Sequence, residues 1–210
     1  MSNFDFTQHW FAGSAKPIWD HLIPKLNPHK VLEIGSFEGA SACYLIRALA
    51  DKHPLELHCI DTWEGGVEHQ NEGNCPTDMG AVERRFNHNT QLAISNASHP
   101  VTLRAHKGLS DEHLPRLIAE GQVGSFDFIY VDGSHQAPDV LIDAVLSFKL
   151  LKVGGVMGFD DHLWSEVLPY GIDPLRCPKA AVDAFVNLFI RKLRVVPSTQ
   201  NQFYIQKTTL

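Results

Sequence analysis

Residues 126–162 read FDFIYVDGSHQAPDVLIDAVLSFKLLKVGGVMGFDDH, and this stretch sets the fold class. Its outer runs, FDFIYVD (126–132) and GGVMGFD (154–160), are short and apolar, as strands buried on both faces are. Between them Val140, Leu141, Ala144, Val145 and Phe148 recur at helical spacing over 137–151, and Val153-Gly154-Gly155 reads as the turn into the second strand. Strand, helix-length crossover and strand make a parallel, right-handed unit whose two carboxyl ends face one crevice. Asp132, Asp160 and Asp161 stand at those ends. Repelling carboxylates need a cation, a proton or water between them, and oxygen ligands point to a hard metal ion. Capping a helix or lying solvated in a loop is the ordinary role of any one of them.

The same alternation extends toward the N-terminus. KVLEIGS (30–36) is a strand that breaks at Gly35, followed by a helical pattern from Gly39 to about Leu49; LELHCID (55–61) and VTLRA (101–105) continue the series. Residues 14–26 read as an amphipathic helix with Ile18, Leu22 and Leu26 on its apolar side and Ser14 as cap. After a helix over 179–191, LRVVP and QFYIQK sit only a few residues apart, a gap that favours an antiparallel pair. The spacing therefore predicts an α/β chain of mostly parallel strands with an antiparallel C-terminal hairpin and helices on both faces. Residues 63–80 are polar, glycine-rich and weakly patterned, with a helix following to about residue 96, which reads either as a lid over the crevice or as a plain surface insertion.

Composition narrows the function. The chain has 210 residues, 44% of them hydrophobic, a length that one domain of 1–210 accommodates, with 1–29 as a helical cover and 63–97 as an insertion. A net charge of −6 offers no basic stripe for nucleic acid, so small molecules are the expected partners. The four cysteines form no CxxC pair, and no export signal or membrane span is visible, so a reducing, cytoplasmic setting is expected. A homodimer is left open.

Glu33-Ile-Gly35-Ser36-Phe-Glu-Gly39-Ala-Ser41 sets two glycines between the first strand and its helix, where backbone can approach a ligand closely. It lacks the GxGxxG spacing, so NAD is not expected. Glu33 is a carboxylate inside a buried strand and needs donors, either the ammonium of an amino-acid ligand with backbone N–H groups or a structural ion pair. Asp61 ends the second strand, where a carboxylate can accept from a ribose diol.

On these residues the chain resembles the class I S-adenosylmethionine-dependent methyltransferases of Rossmann-like fold, with Glu33-x-Gly35-x-x-x-Gly39 as cofactor loop and Asp61 as ribose acid. More narrowly it resembles the metal-dependent O-methyltransferases of the catechol type and the bacterial sugar and macrolide O-methyltransferases, over roughly residues 30–207. The resemblance implies a seven-stranded sheet. It implies that Gly35, Gly39 and Ser41 hold the methionine part of the cofactor, that Asp61 meets the ribose, that Glu33, Ser36 and Thr62 also belong to the cofactor site, and that Gly108, Leu109 and Ser110 lie near the adenine. Trp63 would stack on a base or pack in its loop, and Asp132 would lie between cofactor and metal. Asp132, Asp160 and Asp161 would bind a divalent cation, expected to be Mg²⁺; the catechol-type enzymes have Asp, Asp and Asn there. Where those enzymes place a lysine base, three residues after the first aspartate, this chain has His135, with His162 as rival. The implied activity is methyl transfer to a small hydroxyl-bearing acceptor. A metal-dependent hydroxylase and a non-catalytic nucleoside-binding module on the same fold are the alternatives.

Overall fold

The computed structural model describes residues 3–69, 73, 75–166, 168–199 and 201–210, of residue 68 the backbone alone. Part of the expected lid, at 70–72 and 74, lies outside the described residues. The chain divides into two compact units, Met1–Leu109 and Ser110–Leu210.

In the first unit the elements run α1 (Trp10–Gly13), α2 (Lys16–Leu26), β1 (Lys30–Ile34), α3 (Ala40–Leu49), β2 (Leu55–Asp61), a 3-10 turn at Val67–His69, α4 (Met79–Ser95) and β3 (Val101–Lys107). The three strands are parallel, in the order β3-β2-β1. Each is followed or preceded by a helix long enough to carry the chain back, which is what a parallel ladder requires. The register Ile34↔Ile60 brings the end of β1 beside the end of β2, and Gly35 N–H donates to the Ile60 carbonyl at 2.8 Å. The expected capping role of Ser14 is not observed. Its hydroxyl donates back to the Trp10 carbonyl at 2.9 Å, closing α1, and α2 begins after Ala15 with Pro17 in its first turn. The face of α2 also differs from the periodic reading. Trp19 and Ile23 are buried, whereas Ile18, Leu22 and Leu26 are half-buried, because the Trp19 ring packs on Phe11 and Tyr44 and pulls its own side of the helix inward.

The second unit holds α5 (Ser110–Ala119), β4 (Phe126–Val131), α6 (Ala137–Leu150), β5 (Leu151–Phe159), a 3-10 turn at Pro174–Arg176, α7 (Pro178–Phe189), β6 (Leu193–Val196) and β7 (Phe203–Lys207). Here the order is β4-β5-β7-β6, with β4 and β5 parallel and β7 antiparallel to both β5 and β6. The strands of both units are thus parallel within their unit apart from the antiparallel C-terminal pair, as the sequence spacing predicts. One expectation is corrected: Val153-Gly154-Gly155 is no turn before a strand. The strand starts at Leu151, and the glycines form an irregularity within it, where the register jumps from Phe126↔Leu151 to Phe128↔Val156. A Cβ on Gly155 would lie 2.9 Å from the Lys152 carbonyl and 3.0 Å from that of Asp127, so the bulge admits no side chain there. Phe148, Phe185 and Phe189 pack the helices α6 and α7 together.

Candidate functional site

The first unit offers a turn. Its backbone is left-handed at Gly35 (φ 81°), Phe37 (φ 46°) and Gly39 (φ 80°), and β-carbon-bearing Phe37 holds that conformation because the surroundings fix it. Asp61 supplies much of this: Oδ2 accepts from the N–H groups of Ser36 and Phe37, each at 2.8 Å, and Oδ1 accepts from Trp63 N–H at 2.7 Å. The carboxylate expected to meet a ribose therefore also pins the glycine turn, and keeps acceptor capacity on Oδ1. Thr62 accepts from Glu64 N–H at 3.1 Å. The Trp63 indole is buried, donates to the Phe37 carbonyl at 3.0 Å and rests on Phe86.

Glu33 is fully buried at the end of β1. Oε2 accepts from the Ser36 hydroxyl at 2.5 Å and from the Cys59 thiol at 3.6 Å, Ser41 is a further donor to the carboxylate, and Oε1 has no hydrogen-bond partner. Burial pushes its pKa up to about 7 against these donors. A buried acceptor with no donor costs stability, and an ammonium or amide N–H from a ligand would satisfy it. Gly35, Ser36 and Gly39 lie along the turn that follows, and Ser41 lies in the first turn of α3. Gly108, at φ 139°, donates to the Asp61 carbonyl at 2.9 Å, and Leu109 next to it is exposed. The donor set and the close backbone fit a nucleoside amino acid such as S-adenosylmethionine.

The second unit offers the acidic cluster. Asp132, Asp160 and Asp161 each contribute a carboxylate oxygen, all within 4.8 Å of one another. Asp160 is held from beneath: the Tyr130 hydroxyl donates to Oδ2, Gln202 Nε2 donates to Oδ1, and Asp161 N–H donates to Oδ1 at 2.7 Å. Tyr204 donates to Gln202 Oε1 at 2.9 Å, completing a buried network that orients one metal-type ligand. Burial, and then the Asp161 charge, push the Asp160 pKa up to about 6. Asp161 sits at φ 52°, a strained position for a residue with a side chain. Three hard oxygen donors with mutual repulsion, one of them preset by a tyrosine and a glutamine, fit a divalent cation.

The two histidines separate. His135 Nε2 lies 3.2 Å from Asp161 Oδ2, and its ring stacks on Trp164 with centroids 4.2 Å apart. His162 turns instead to α7, where Nε2 meets Asp183 Oδ1 at 3.0 Å, and its ring packs on Phe203. Of the two candidate bases, His135 is the one that touches the aspartate trio. Ser110 opens α5 and hydrogen-bonds to the buried carboxylate of Asp143 on α6, which burial pushes up to about 7. Sequence reasoning singled out neither Tyr130 nor Gln202. A tyrosine in a buried strand announces a need for a hydroxyl partner, whereas Gln202 carries no such signal.

A family model described as a methyltransferase domain matches residues 32–162. Among curated proteins, the probable caffeoyl-CoA O-methyltransferase 3 of Dictyostelium discoideum is 25% identical over 166 residues, 78% of this chain and 56% of its own length. The caffeoyl-CoA O-methyltransferase of Populus kitakamiensis is 26% identical over 179 residues, 83% of this chain and 66% of its own. The chain spans between about half and two thirds of the length of these relatives. The fold is shared with an O-methyltransferase from Bacillus cereus in complex with SAH, at a TM-score of 0.66, 17% identity and coverage of 99% and 84% of the two chains. It is also shared with MycE, a methyltransferase of mycinamycin biosynthesis in complex with Mg, SAH and mycinamycin VI, at a TM-score of 0.58, 16% identity and coverage of 98% and 51%.

Proposed function

Because the chain belongs to the methyltransferase-domain family, we propose that it is an S-adenosylmethionine-dependent, divalent-metal-assisted O-methyltransferase acting on a small hydroxyl-bearing molecule. The observation that carries the reading is the aspartate trio with His135 hydrogen-bonded to one of its members. In this reading Glu33, Gly35, Ser36, Gly39, Ser41 and Asp61 hold the methyl donor, with Thr62, Trp63, Gly108, Leu109 and Ser110 as its nucleoside neighbours. Asp132, Asp160 and Asp161 hold the cation, taken as Mg²⁺ because every donor is a hard oxygen. When bound, the sulfonium supplies an electrophilic methyl and the cation orients an acceptor hydroxyl and lowers its pKa.

The chain's own residues supply the rest. Tyr130 and Gln202 fix Asp160, so that ligand needs little reorganisation on loading. His135 accepts the acceptor's proton at a ring nitrogen, and Asp161 stabilises the imidazolium that results. The indole of Trp164 against the imidazole limits its rotation and shields it from water. His162, paired with Asp183, is assigned to holding the segment after β5 against α7.

The reading treats residues 1–210 as one functional methyltransferase domain, with 1–29 and 63–97 as covers. Among the described residues no helix is long and apolar enough to cross a membrane. The four cysteines are free, which fits a reducing cytoplasmic setting. The test is methyl transfer from labelled S-adenosylmethionine to a panel of catechols, sugars and macrolide diols, with Mg²⁺ and with chelator. Transfer that stops on chelation is the expected result. Donor binding with no transfer to any diol leaves a nucleoside-binding module, and oxygen consumption with iron points to the hydroxylase.

A further inference from the structure

The segment 3–11 is tied to the turn that follows β1. Thr7 donates twice to Glu38, from its N–H to Oε2 at 2.7 Å and from its hydroxyl to Oε1 at 2.6 Å. Asn89, fully buried on α4, bridges the same two segments: Oδ1 accepts from Asp5 N–H at 2.7 Å, and Nδ2 donates to the carbonyls of Asp5 at 2.9 Å and Glu38 at 3.0 Å. Arg85, also on α4, donates to Glu38 Oε1 at 2.6 Å. The Trp10 ring lies 5.2 Å from that of Phe37, and His69 stacks on Phe37 at 5.4 Å. Residues 37 and 38, the centre of the turn, therefore both contact the N-terminal segment.

We propose that residues 3–11 form a strap, seated by Glu38 and Asn89, whose docking on the turn and whose protein's binding of the methyl donor stabilise one another. This rests on the reading of the turn as the donor site. Glu38 is 2% exposed and its carboxylate accepts three hydrogen bonds, two of them from the strap. When the strap leaves, the Glu38 carboxylate loses two of its three donors and Asn89 loses two of its three bonds, so the groups that hold the turn from the strap side are gone. The turn, left-handed at Gly35, Phe37 and Gly39, depends on such contacts for its shape. A ligand that needs that shape favours the docked strap, and by thermodynamic reciprocity the docked strap raises the affinity for the ligand. Glu38 and Asn89 are thus positioning residues, acting on the donor through the turn.

The experiment uses the full chain and S-adenosylhomocysteine as probe. In the wild type, hydrogen exchange at the Asp5 and Thr7 amides is expected to slow on saturation with the probe, a response that a merely structural tether would not give. By calorimetry, Thr7→Ala and Glu38→Gln are expected to weaken probe binding about tenfold, with Thr7→Ser restoring it. Probe binding with unchanged exchange at both amides, or with wild-type affinity in Thr7→Ala and Glu38→Gln, overturns the strap while leaving the donor site intact. A wild type that binds no probe overturns the donor reading itself, and the strap with it. The exchange measurement on the wild type decides the matter even if a variant fails to fold.

Discussion

At the scale of single residues, the site divides into groups that would touch ligands and groups that set them. Asp160→Asn removes a cation ligand while keeping the shape, and the expected outcome is loss of metal-dependent turnover with S-adenosylhomocysteine affinity within about twofold of wild type by calorimetry. Tyr130→Phe removes only a donor to Asp160, and we expect Mg²⁺ affinity to fall about 10- to 100-fold, read by titration of the metal. His135→Ala is expected to lower the maximal rate by about 10²- to 10⁴-fold and to erase the acid limb of the pH–rate profile; an unaltered profile would remove His135 as base. The aspartate trio was legible because three acids stand at two apolar strand ends, whereas His135 was singled out only through the family resemblance, with His162 as its rival. Asn89 and Glu38 were not, since a polar residue on a weakly patterned helix and an acid in a turn look solvated until their long-range partners are known.

Among elements, the existence and order of the strands were legible, because short apolar runs bounded by turn residues leave little freedom. Helix faces and strand starts were read less well. Trp19, not Ile18, is buried on α2, and β5 begins at Leu151, with Gly154 and Gly155 inside it. Both differences arise from what packs against the element, which local periodicity does not carry. Tight packing also makes a prediction for the antiparallel pair β5·β7. A Cβ on Gly158 would clash with the ring of Tyr204, which is fully buried. Gly158→Ala should therefore cost about 1–3 kcal/mol of unfolding free energy, measured by denaturant titration, and a value near zero would show that the ring moves freely.

Across the whole molecule, buried acids shape the response to pH. Glu33, Asp143 and Asp160 are held at about 7, about 7 and about 6, above their ordinary values of 4.5, 3.8 and 3.8, in each case chiefly by burial. Folding thus favours their protonated forms, so the stability they contribute is present below about pH 4 and is lost as pH rises toward 7. The metal-free chain should melt at progressively lower temperature from pH 5 to pH 7.5, and Asp143→Asn should flatten that decline; an identical slope in the variant would show that Asp143 does not titrate in this window. The sequence by itself determined the alternation of strands and helices, the antiparallel end of the sheet, the glycine turn and the aspartate trio, because these follow from local periodicity, glycine's freedom and the coincidence of three acids at the ends of two successive apolar strands. Only the tertiary structure decided which histidine meets the trio, which groups hold Asp160, and that the N-terminal segment seats on the turn. Those are contacts between residues tens of positions apart, and the physical chemistry of a side chain is set by the neighbours that folding brings to it.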